Sequence, residues 1–212
     1  MSTLLPAAAA ALPLAGGWSV HAAMLRRRLD TARRDPLSGL HRREGFEQAA
    51  SRLLARGPLV VAVIDLDGFK QVNDTFGHAA GDAVIAATGA RLAEHVGAHG
   101  VAGRLGGDEF AAAFPLKPAG LPGELAALHT ALCRPVPHED VPLLFVGASV
   151  GGVLAPVGTA LGVALRVADE AMFGAKQTGG GPSVAPGLTP VYRTVNGRRD
   201  GRRGTGLEGG AA

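Results

Sequence analysis

The alternation of apolar and polar segments predicts a mixed α/β unit over residues 35–178. Continuous apolar runs predict buried strands, and two short runs on either side of a four-residue turn predict a hairpin. The predicted strands cover residues 59–64, 101–105, 110–114 and 143–153. Amphipathic or alanine-rich segments predict helices, which cover residues 46–55, 79–96, 122–132 and 159–176. This order of elements is that of an α/β or α+β domain.

The N-terminal segment predicts a membrane helix. Residues 1–25 contain no Asp, Glu, Lys or Arg, and residues 4–25 are long enough, at about 1.5 Å per residue, to cross a bilayer as a helix. Arginines follow at 26–28 and none precedes, which is the opposite of the order in a secretory signal. We therefore expect a single span in the cell membrane, with the rest of the chain in the cytoplasm. The alternative is an apolar N-terminal segment on a cytoplasmic protein.

Basic residues are concentrated on both sides of the predicted domain. Residues 26–34 predict a basic helical connector, and residues 179–212 predict a disordered tail rich in Gly and Arg. The part between them is acidic, and aromatic residues make up 4% of the chain, so both features argue against a nucleic-acid partner. The lone cysteine, Cys133, excludes an intramolecular disulfide and a cysteine-rich zinc site.

Two pairs of acidic residues stand where chemistry is expected. Asp65 and Asp67 follow the first predicted strand, and the end of a buried strand is a rigid position for the ligands of a hard cation. Asp108 and Glu109 follow two glycines in the predicted hairpin turn. Mg²⁺ binds one or two carboxylates and completes its coordination with substrate phosphates and water. A strand-end acid and a hairpin acid around one metal ion indicate phosphoryl transfer.

Several segments together resemble a known family. The first three are DPLSGLHRR at 35–43, DLDGFKQVNDTFGHAAGD at 65–82 and RLGGDEF at 104–110. They are followed by ASVGG at 148–152 and ADEAMFGAKQTG at 168–179. Each polar residue of the second segment, taken singly, would indicate a surface loop with helix caps. In this order and spacing, the segments resemble the GGDEF domain family, the diguanylate cyclases.

The resemblance implies a fold and a reaction. The fold is of the nucleotide-cyclase or polymerase-palm type, an α/β (α+β) domain in which helices flank a mostly antiparallel sheet. Here it would be preceded by the N-terminal helix. The reaction is the condensation of two GTP molecules into cyclic di-GMP and two pyrophosphates. Each subunit of a homodimer holds one GTP, and the subunits face each other so that each 3′-hydroxyl attacks the opposite α-phosphate.

The resemblance also assigns the metal and catalytic residues. Asp65 and Asp108 match the Mg²⁺ ligands, with the carbonyl of Leu66 as a further ligand and Mn²⁺ as an alternative ion. Bound metal neutralises the triphosphate and lowers the pKa of the attacking hydroxyl. Glu109 is implied as an acidic helper beside Asp65 and Asp108. The Gly106-Gly107 pair would keep the turn free of side chains beside the nucleotide.

Four residues match the family's nucleotide contacts. Asn73 and Asp82 match the residues that read guanine, since a carboxylate accepts hydrogen bonds from the guanine N1–H and amino group. Lys70 and Lys176 match the phosphate contacts, where a cation stabilises the triphosphate. The match at Asp82 disfavours an adenine-containing product.

The chain also departs from the family pattern. Gly180 stands where an Arg would contact phosphate, and the loss of one such contact costs roughly 1.5–3 kcal/mol, so we expect weaker GTP binding. Arg42 replaces an Asn, and Phe173 replaces a frequent Tyr. Residues 97–100 read GAHG where many members carry the RxxD product site, so we expect no product inhibition there.

Two functions follow from these observations. The first is an active, Mg²⁺-dependent diguanylate cyclase without RxxD feedback. The second is a catalytically weak or inactive module that binds GTP or a partner and regulates it, an alternative favoured by Gly180 and Arg42.

Overall fold

The computed structural model describes residues 34–117, 120–139, 143–189, 194–195 and 198–199, together with Trp18 and His21. Its helices are α1 (Arg43–Leu54), α2 (Phe69–Phe76), α3 (His78–Val96), α4 (Gly120–Leu132) and α5 (Leu161–Gln177). Its strands are β1 (His41–Arg42), β2 (Leu59–Asp67), β3 (Val101–Gly106), β4 (Glu109–Phe114), β5 (Gly147–Ala155), β6 (Gly181–Val184), β7 (Thr194–Val195) and β8 (Arg198–Arg199). A 3₁₀ turn, Gly97–His99, links α3 to β3.

The central sheet has the strand order β1-β3-β4-β2-β5-β6. The inner pairs β3–β4, β4–β2 and β2–β5 are antiparallel, and the two edge strands, β1 and β6, pair in parallel with their neighbours. The predicted mixed fold, a mostly antiparallel sheet flanked by helices, is therefore confirmed. The N-terminal helix that was predicted to precede it lies outside the described residues, apart from Trp18 and His21.

Helices cover both faces of the sheet because β2 is apolar on both sides. Val60, Ala62 and Ile64 belong to the core shared with α3 and α4. The alternate residues, Val61 and Val63 among them, belong to the core shared with α1 and α5. A strand that is buried on both faces has a continuous apolar sequence, and this pattern is what predicted β2.

Glycines in β5 set how closely the helices approach. A Cβ atom added at Gly151 would collide with the backbone of α5 at Ala168 and Met172. On the other face, a Cβ at Gly152 would lie 2.6 Å from a methyl carbon of Leu125 in α4. The two glycines thus allow α5 and α4 to pack directly on β5. This contact fixes the path of α5 toward the end of β2.

Several elements differ in extent from the sequence prediction. β2 continues to Asp67, so the acidic residues are part of the strand rather than following it. β5 begins at Gly147, and in the preceding segment Leu144 forms a single bridge to Val136. The polar run after β2, whose residues singly indicated a loop, contains α2, which buries Val72.

Regular structure continues beyond residue 179, where the disordered tail was predicted to begin. Gly181–Val184 forms β6, which adds to the edge of β5, and a small β7–β8 ladder follows. The reason is the free edge of β5, whose backbone groups pair with any extended segment regardless of side-chain periodicity. Ala185 anchors the strand, since its N–H donates to the Gly152 carbonyl and its side chain is buried.

The structure provides no transmembrane helix in the part it describes: none of the helices there combines the length and the hydropathy that a bilayer requires. The segment predicted to span the membrane, residues 4–25, falls almost entirely outside that part.

Candidate active site

The strand-end and hairpin acids meet on neighbouring strands. Asp65 of β2 is paired directly with Glu109 of β4. One residue on, the Leu66 N–H donates to the carbonyl of Asp108 at 3.3 Å. The turn that carries Asp108 is therefore held against the end of β2. The two acidic pairs singled out in the sequence occupy one place in the fold.

Three acids share the α1/α5 side of the sheet. Asp65 and Asp67 are two positions apart on β2, and directly paired strand residues lie on the same face, which adds Glu109. Ser149 of β5 lies beside them on the same face, because it is paired with Asp65. Its hydroxyl donates to Asp67 Oδ1 at 2.8 Å. Lys176, in the last turn of α5, donates from Nζ to Asp65 Oδ1 at 2.5 Å.

Burial and mutual repulsion shape the electrostatics of this cluster. Burial raises the pKa of Asp65 above its ordinary value, Lys176 opposes this rise, and the charges of Asp108 and Asp67 add to it. Burial likewise raises the pKa of Glu109, and so does the negative charge of Asp65. An acidic site of this kind favours a cation, because a positive charge relieves the repulsion among its carboxylates.

Arg104 braces the hairpin. Its Nε and Nη2 donate to the carbonyl of Gly107 at 3.0 and 2.7 Å, and its Nη1 donates to Asp35 Oδ1 at 3.0 Å. Asp35 also accepts hydrogen bonds from the N–H and hydroxyl of Ser38. Burial raises the pKa of Asp35, but the bonds from Ser38 and Arg104 outweigh it and hold that pKa below its ordinary value. The turn before Asp108 is thereby fixed to the start of the domain.

Arg43 is the second arginine at the hairpin. Its Nη2 donates to the carbonyl of Leu105 at 3.1 Å and lies 3.9 Å from Glu109 Oε2. Arg43 and Arg104, like Ser149, were not assigned to the site from the sequence. Arg43 closes the first family-like segment and Arg104 opens the third, so their positions carried a signal. Ser149 lies in the fourth such segment, ASVGG, but its pairing with Asp65 depends on the strand register and could not be read from the sequence.

Asn73 and Asp82 form a second group, on the two helices that follow β2. The side chain of Asn73, on α2, lies over Gly81 of α3, where a Cβ atom would collide with its Oδ1. Asp82 is the next residue along α3 and is exposed. Lys70, at the start of α2, is also exposed. Because α2 follows β2 directly, the predicted guanine readers and Lys70 are carried to the same end of the sheet as Asp65.

Position 180 is built for glycine. Gly180 has a φ of +92°, a backbone conformation that residues with a Cβ rarely adopt. A Cβ atom there would also lie 2.6 Å from Asp67 Oδ2. The chain therefore lacks the arginine of the family pattern at position 180, and the local backbone leaves no room there for a side chain.

The donor set suits Mg²⁺ better than a metal held by protein alone. Within the described ranges, no three His, Cys, Asp or Glu residues form a group that could hold an ion. Two hard carboxylates, Asp65 at the end of β2 and Asp108 in the adjacent hairpin turn, are instead what Mg²⁺ takes when substrate phosphates and water supply the remaining ligands. The orientation of Asp65 also fits, since a cationic group, the ammonium of Lys176, already contacts its Oδ1.

The sequence and the fold both match known proteins. The family model described as diguanylate cyclase, GGDEF domain, matches residues 32–182. The chain is 49% identical over 173 residues to an uncharacterized 19.3 kDa protein of Streptomyces ambofaciens, which covers 80% of this chain and 91% of that protein. It is 37% identical over 153 residues to the diguanylate cyclase DgcP of Escherichia coli, covering 68% of this chain but only 44% of that enzyme.

Among solved structures, the chain is similar to the coiled coil and GGDEF domain of DgcB from Caulobacter crescentus, determined in complex with c-di-GMP. The TM-score is 0.71 at 25% sequence identity, and the match covers 87% of this chain and all of that one. The matched range includes both acidic pairs, the arginines of the hairpin and Lys176. The chain therefore belongs to the GGDEF domain family of diguanylate cyclases.

Proposed function

We propose that the protein is an active diguanylate cyclase, which condenses two GTP molecules into cyclic di-GMP and two pyrophosphates. The observation that carries this proposal is the pairing of β2 with β4, which brings Asp65 beside Glu109 and the Asp108 turn. A carboxylate at the end of a rigid strand and another in the turn held against that strand can hold one ion above a triphosphate. A turn used only to reverse the chain would have no need of two adjacent acids beside a third on the neighbouring strand.

Each residue then has a defined task. Asp65 and Asp108 bind Mg²⁺, together with the carbonyl of Leu66. When bound, the metal neutralises phosphate charge and lowers the pKa of the attacking 3′-hydroxyl. Glu109 maintains the negative potential beside them, and Lys176 donates to the phosphates.

The nucleotide is selected at the other group. Asn73, held over Gly81, and the exposed carboxylate of Asp82 present acceptors and a donor to the guanine edge. Adenine lacks the N1–H and amino pair that such a carboxylate requires, so it leaves a polar group unpaired. Lys70 at the start of α2 contributes a further charge to the phosphates.

Catalysis requires two subunits in this proposal. One site of this kind binds one GTP, and the condensation needs two, so the sites of a homodimer face each other. The rate per enzyme should then rise with protein concentration until the dimer is fully formed.

The test uses the full chain with GTP and Mg²⁺, at several protein concentrations, with cyclic di-GMP quantified by chromatography. The proposal predicts product, and a rate per enzyme that rises with concentration. GTP binding without product would instead support the alternative, a weak or inactive regulatory module. Gly180 favours that alternative, because the phosphate contact expected there is missing.

We also propose that product does not inhibit the enzyme at the RxxD position. Gly97, with a φ of +61°, and Gly100 replace the Arg and Asp of that motif. At Gly100 an added Cβ would lie 2.8 Å from the Cβ atoms of Phe114 and Val96. Neither position therefore provides the guanidinium or the carboxylate of the RxxD motif. Adding cyclic di-GMP to the assay should leave the initial rate unchanged.

Attachment to the cell membrane remains a proposal that rests on the sequence of residues 4–25 alone. Cell fractionation tests it. The full chain should sediment with membranes, whereas a variant starting at Arg26 should stay in the supernatant. Recovery of the full chain in the supernatant would favour the cytoplasmic alternative.

A further inference from the structure

A cationic side chain already contacts one of the two acids that the proposed function assigns to the metal. Lys176 Nζ lies 2.5 Å from Asp65 Oδ1. The carboxylate is largely buried, with 13% of its side chain exposed, whereas 38% of the lysine side chain is exposed. The ammonium therefore reaches Asp65 from the open side of the site.

The charge balance explains why this contact forms. The charges of Asp67 and Asp108 act on Asp65, and that of Asp65 acts on Glu109. Arg43 is another cation at this site, and its Nη2 lies 3.9 Å from Glu109 Oε2. In the part of the chain that the structure describes, Lys176 is the cation that donates a hydrogen bond to Asp65. Gly180 adds no charge where an arginine is expected from the family pattern. Neutralisation of Asp65 in the nucleotide-free protein thus depends on Lys176.

We propose that Lys176 is a placeholder for the divalent cation: in the nucleotide-free protein its ammonium occupies the oxygen of Asp65 that the metal takes, and it moves to the phosphates of GTP when the metal binds. The inference rests on the proposed function, since that function identifies Asp65 as a metal ligand. Its consequence is that the protein without nucleotide binds divalent ions weakly, and that metal and nucleotide enter together.

The side chain can make this exchange without any change in the fold. Lysine carries a compact charge on a flexible four-carbon stem with three rotatable donors. The helix that bears it is fixed, because Gly151 brings the backbone of α5 directly onto β5. The movement is therefore confined to the exposed part of the Lys176 side chain.

The experiment measures Mn²⁺ binding to the full chain without nucleotide, from the loss of the free-ion signal in electron paramagnetic resonance. Lys176→Met removes the competing charge, so Mn²⁺ should bind about tenfold more tightly than to the wild type. Lys176→Arg keeps the charge and should retain the weak binding. Lys117→Met is the matched control: it removes an equal charge from an exposed lysine whose ion pair is with Glu124 and not with Asp65, so Mn²⁺ affinity should not change.

Two further results complete the test. Adding Asp65→Asn to Lys176→Met should abolish the gain, which locates the ion at Asp65. Circular dichroism verifies that each variant is folded. Unchanged or weaker Mn²⁺ binding by folded Lys176→Met would overturn the placeholder role. Failure of the proposed function is a separate result, the absence of cyclic di-GMP from wild-type protein with GTP and Mg²⁺.

Discussion

At one end of β2, Asp65 and Asp67 lie among charged side chains, hydrogen-bonded to Lys176 and Ser149. At the other end, Leu59 opens onto a groove of about 490 Å³ whose lining is mostly apolar. The groove is lined by Leu53, Arg56, Gly57, Pro58, Leu59, His99, Pro115, Leu116 and Leu154. The same strand thus connects a site suited to ions and phosphates with a surface that holds two basic residues and no acid.

If the proposed function holds, this difference would separate catalysis from feedback in this chain. The charged end keeps the acids, the lysines and the guanine-reading pair of the family pattern. The apolar end includes Gly97–His99 and Gly100, where the family's inhibitory charges are missing and glycine geometry leaves no room for one of them. Such an enzyme would produce cyclic di-GMP without being inhibited by it at this position.

The largest expected effect is at the hairpin. Asp108→Ala removes a proposed metal ligand and should lower the rate of cyclic di-GMP formation by at least about 10³-fold, since metal stabilisation of the transition state is worth several kcal/mol. His99→Ala, at the apolar end, is the matched control and should leave the rate unchanged. Full turnover by Asp108→Ala would refute the metal assignment, and a large loss in His99→Ala would remove the distinction between the two ends.

A second effect is expected at the guanine-reading group. Gly81→Ala places a methyl group where the Asn73 side chain lies, so Asn73 must move and its proposed contact to guanine should be lost. GTP affinity, measured by calorimetry, should fall about tenfold. Gly162→Ala, in α5, introduces the same methyl group where no atom lies within 4 Å and should leave affinity unchanged. Equal affinities for the two variants would show that the position of Asn73 does not matter.

At the apolar end, the expected effect is on stability and not on chemistry. Gly100→Asp restores the acid of RxxD but overpacks against Phe114 and Val96, which should cost about 2 kcal/mol of unfolding free energy in urea. The turnover of the folded enzyme should stay at the wild-type level. His99→Asp introduces the same charge at the neighbouring, exposed position and should be near neutral. An equally stable Gly100→Asp protein would contradict the packing described here.

The smallest effect is a pH-dependent gain in stability. Burial raises the pKa of Asp65 in the folded protein, so the folded state retains this proton more readily than the unfolded state. The contribution of such a group to stability is complete below its unfolded pKa, about 3.9, and is lost as pH rises through the higher folded pKa. Asp65→Asn should therefore raise the Tm by a few degrees at pH 7.5, and the gain should shrink toward pH 4.

The control for this experiment is Asp74→Asn, at an exposed position of α2. It should leave the Tm unchanged across the same pH range. A lower Tm for Asp65→Asn at pH 7.5 would mean that the ion pair with Lys176 outweighs the cost of burying the carboxylate.

Prediction from the sequence succeeded where a local feature of the chain determines the structure. The apolar run of β2 and the double-glycine turn predicted the strand and the hairpin, because burial and turn geometry are local properties. The register that pairs Asp65 with Ser149 and Glu109 could not be read, since it depends on how distant strands align. β6 was missed for a related reason: its pairing comes from the edge of β5, and its own Gly and Pro residues predict no strand.

The same distinction applies to the site. Asp65, Asp108 and Lys176 could be named from motif spacing, whereas the hydrogen bond between Lys176 and Asp65 required the path of α5 across Gly151. The brace from Arg104 to Gly107 likewise joins residues close in sequence, but its anchor at Asp35 comes from the start of the domain.

The most direct test of the central claim is the location of the ion. Crystals grown with Mn²⁺, which takes the oxygen ligands of Mg²⁺, and a non-hydrolysable GTP analogue would reveal it by anomalous diffraction. We predict a peak bound by carboxylate oxygens of both Asp65 and Asp108 at about 2.1 Å, with phosphate oxygens completing the coordination. An ion bound to only one of these residues, or to neither, would contradict the account.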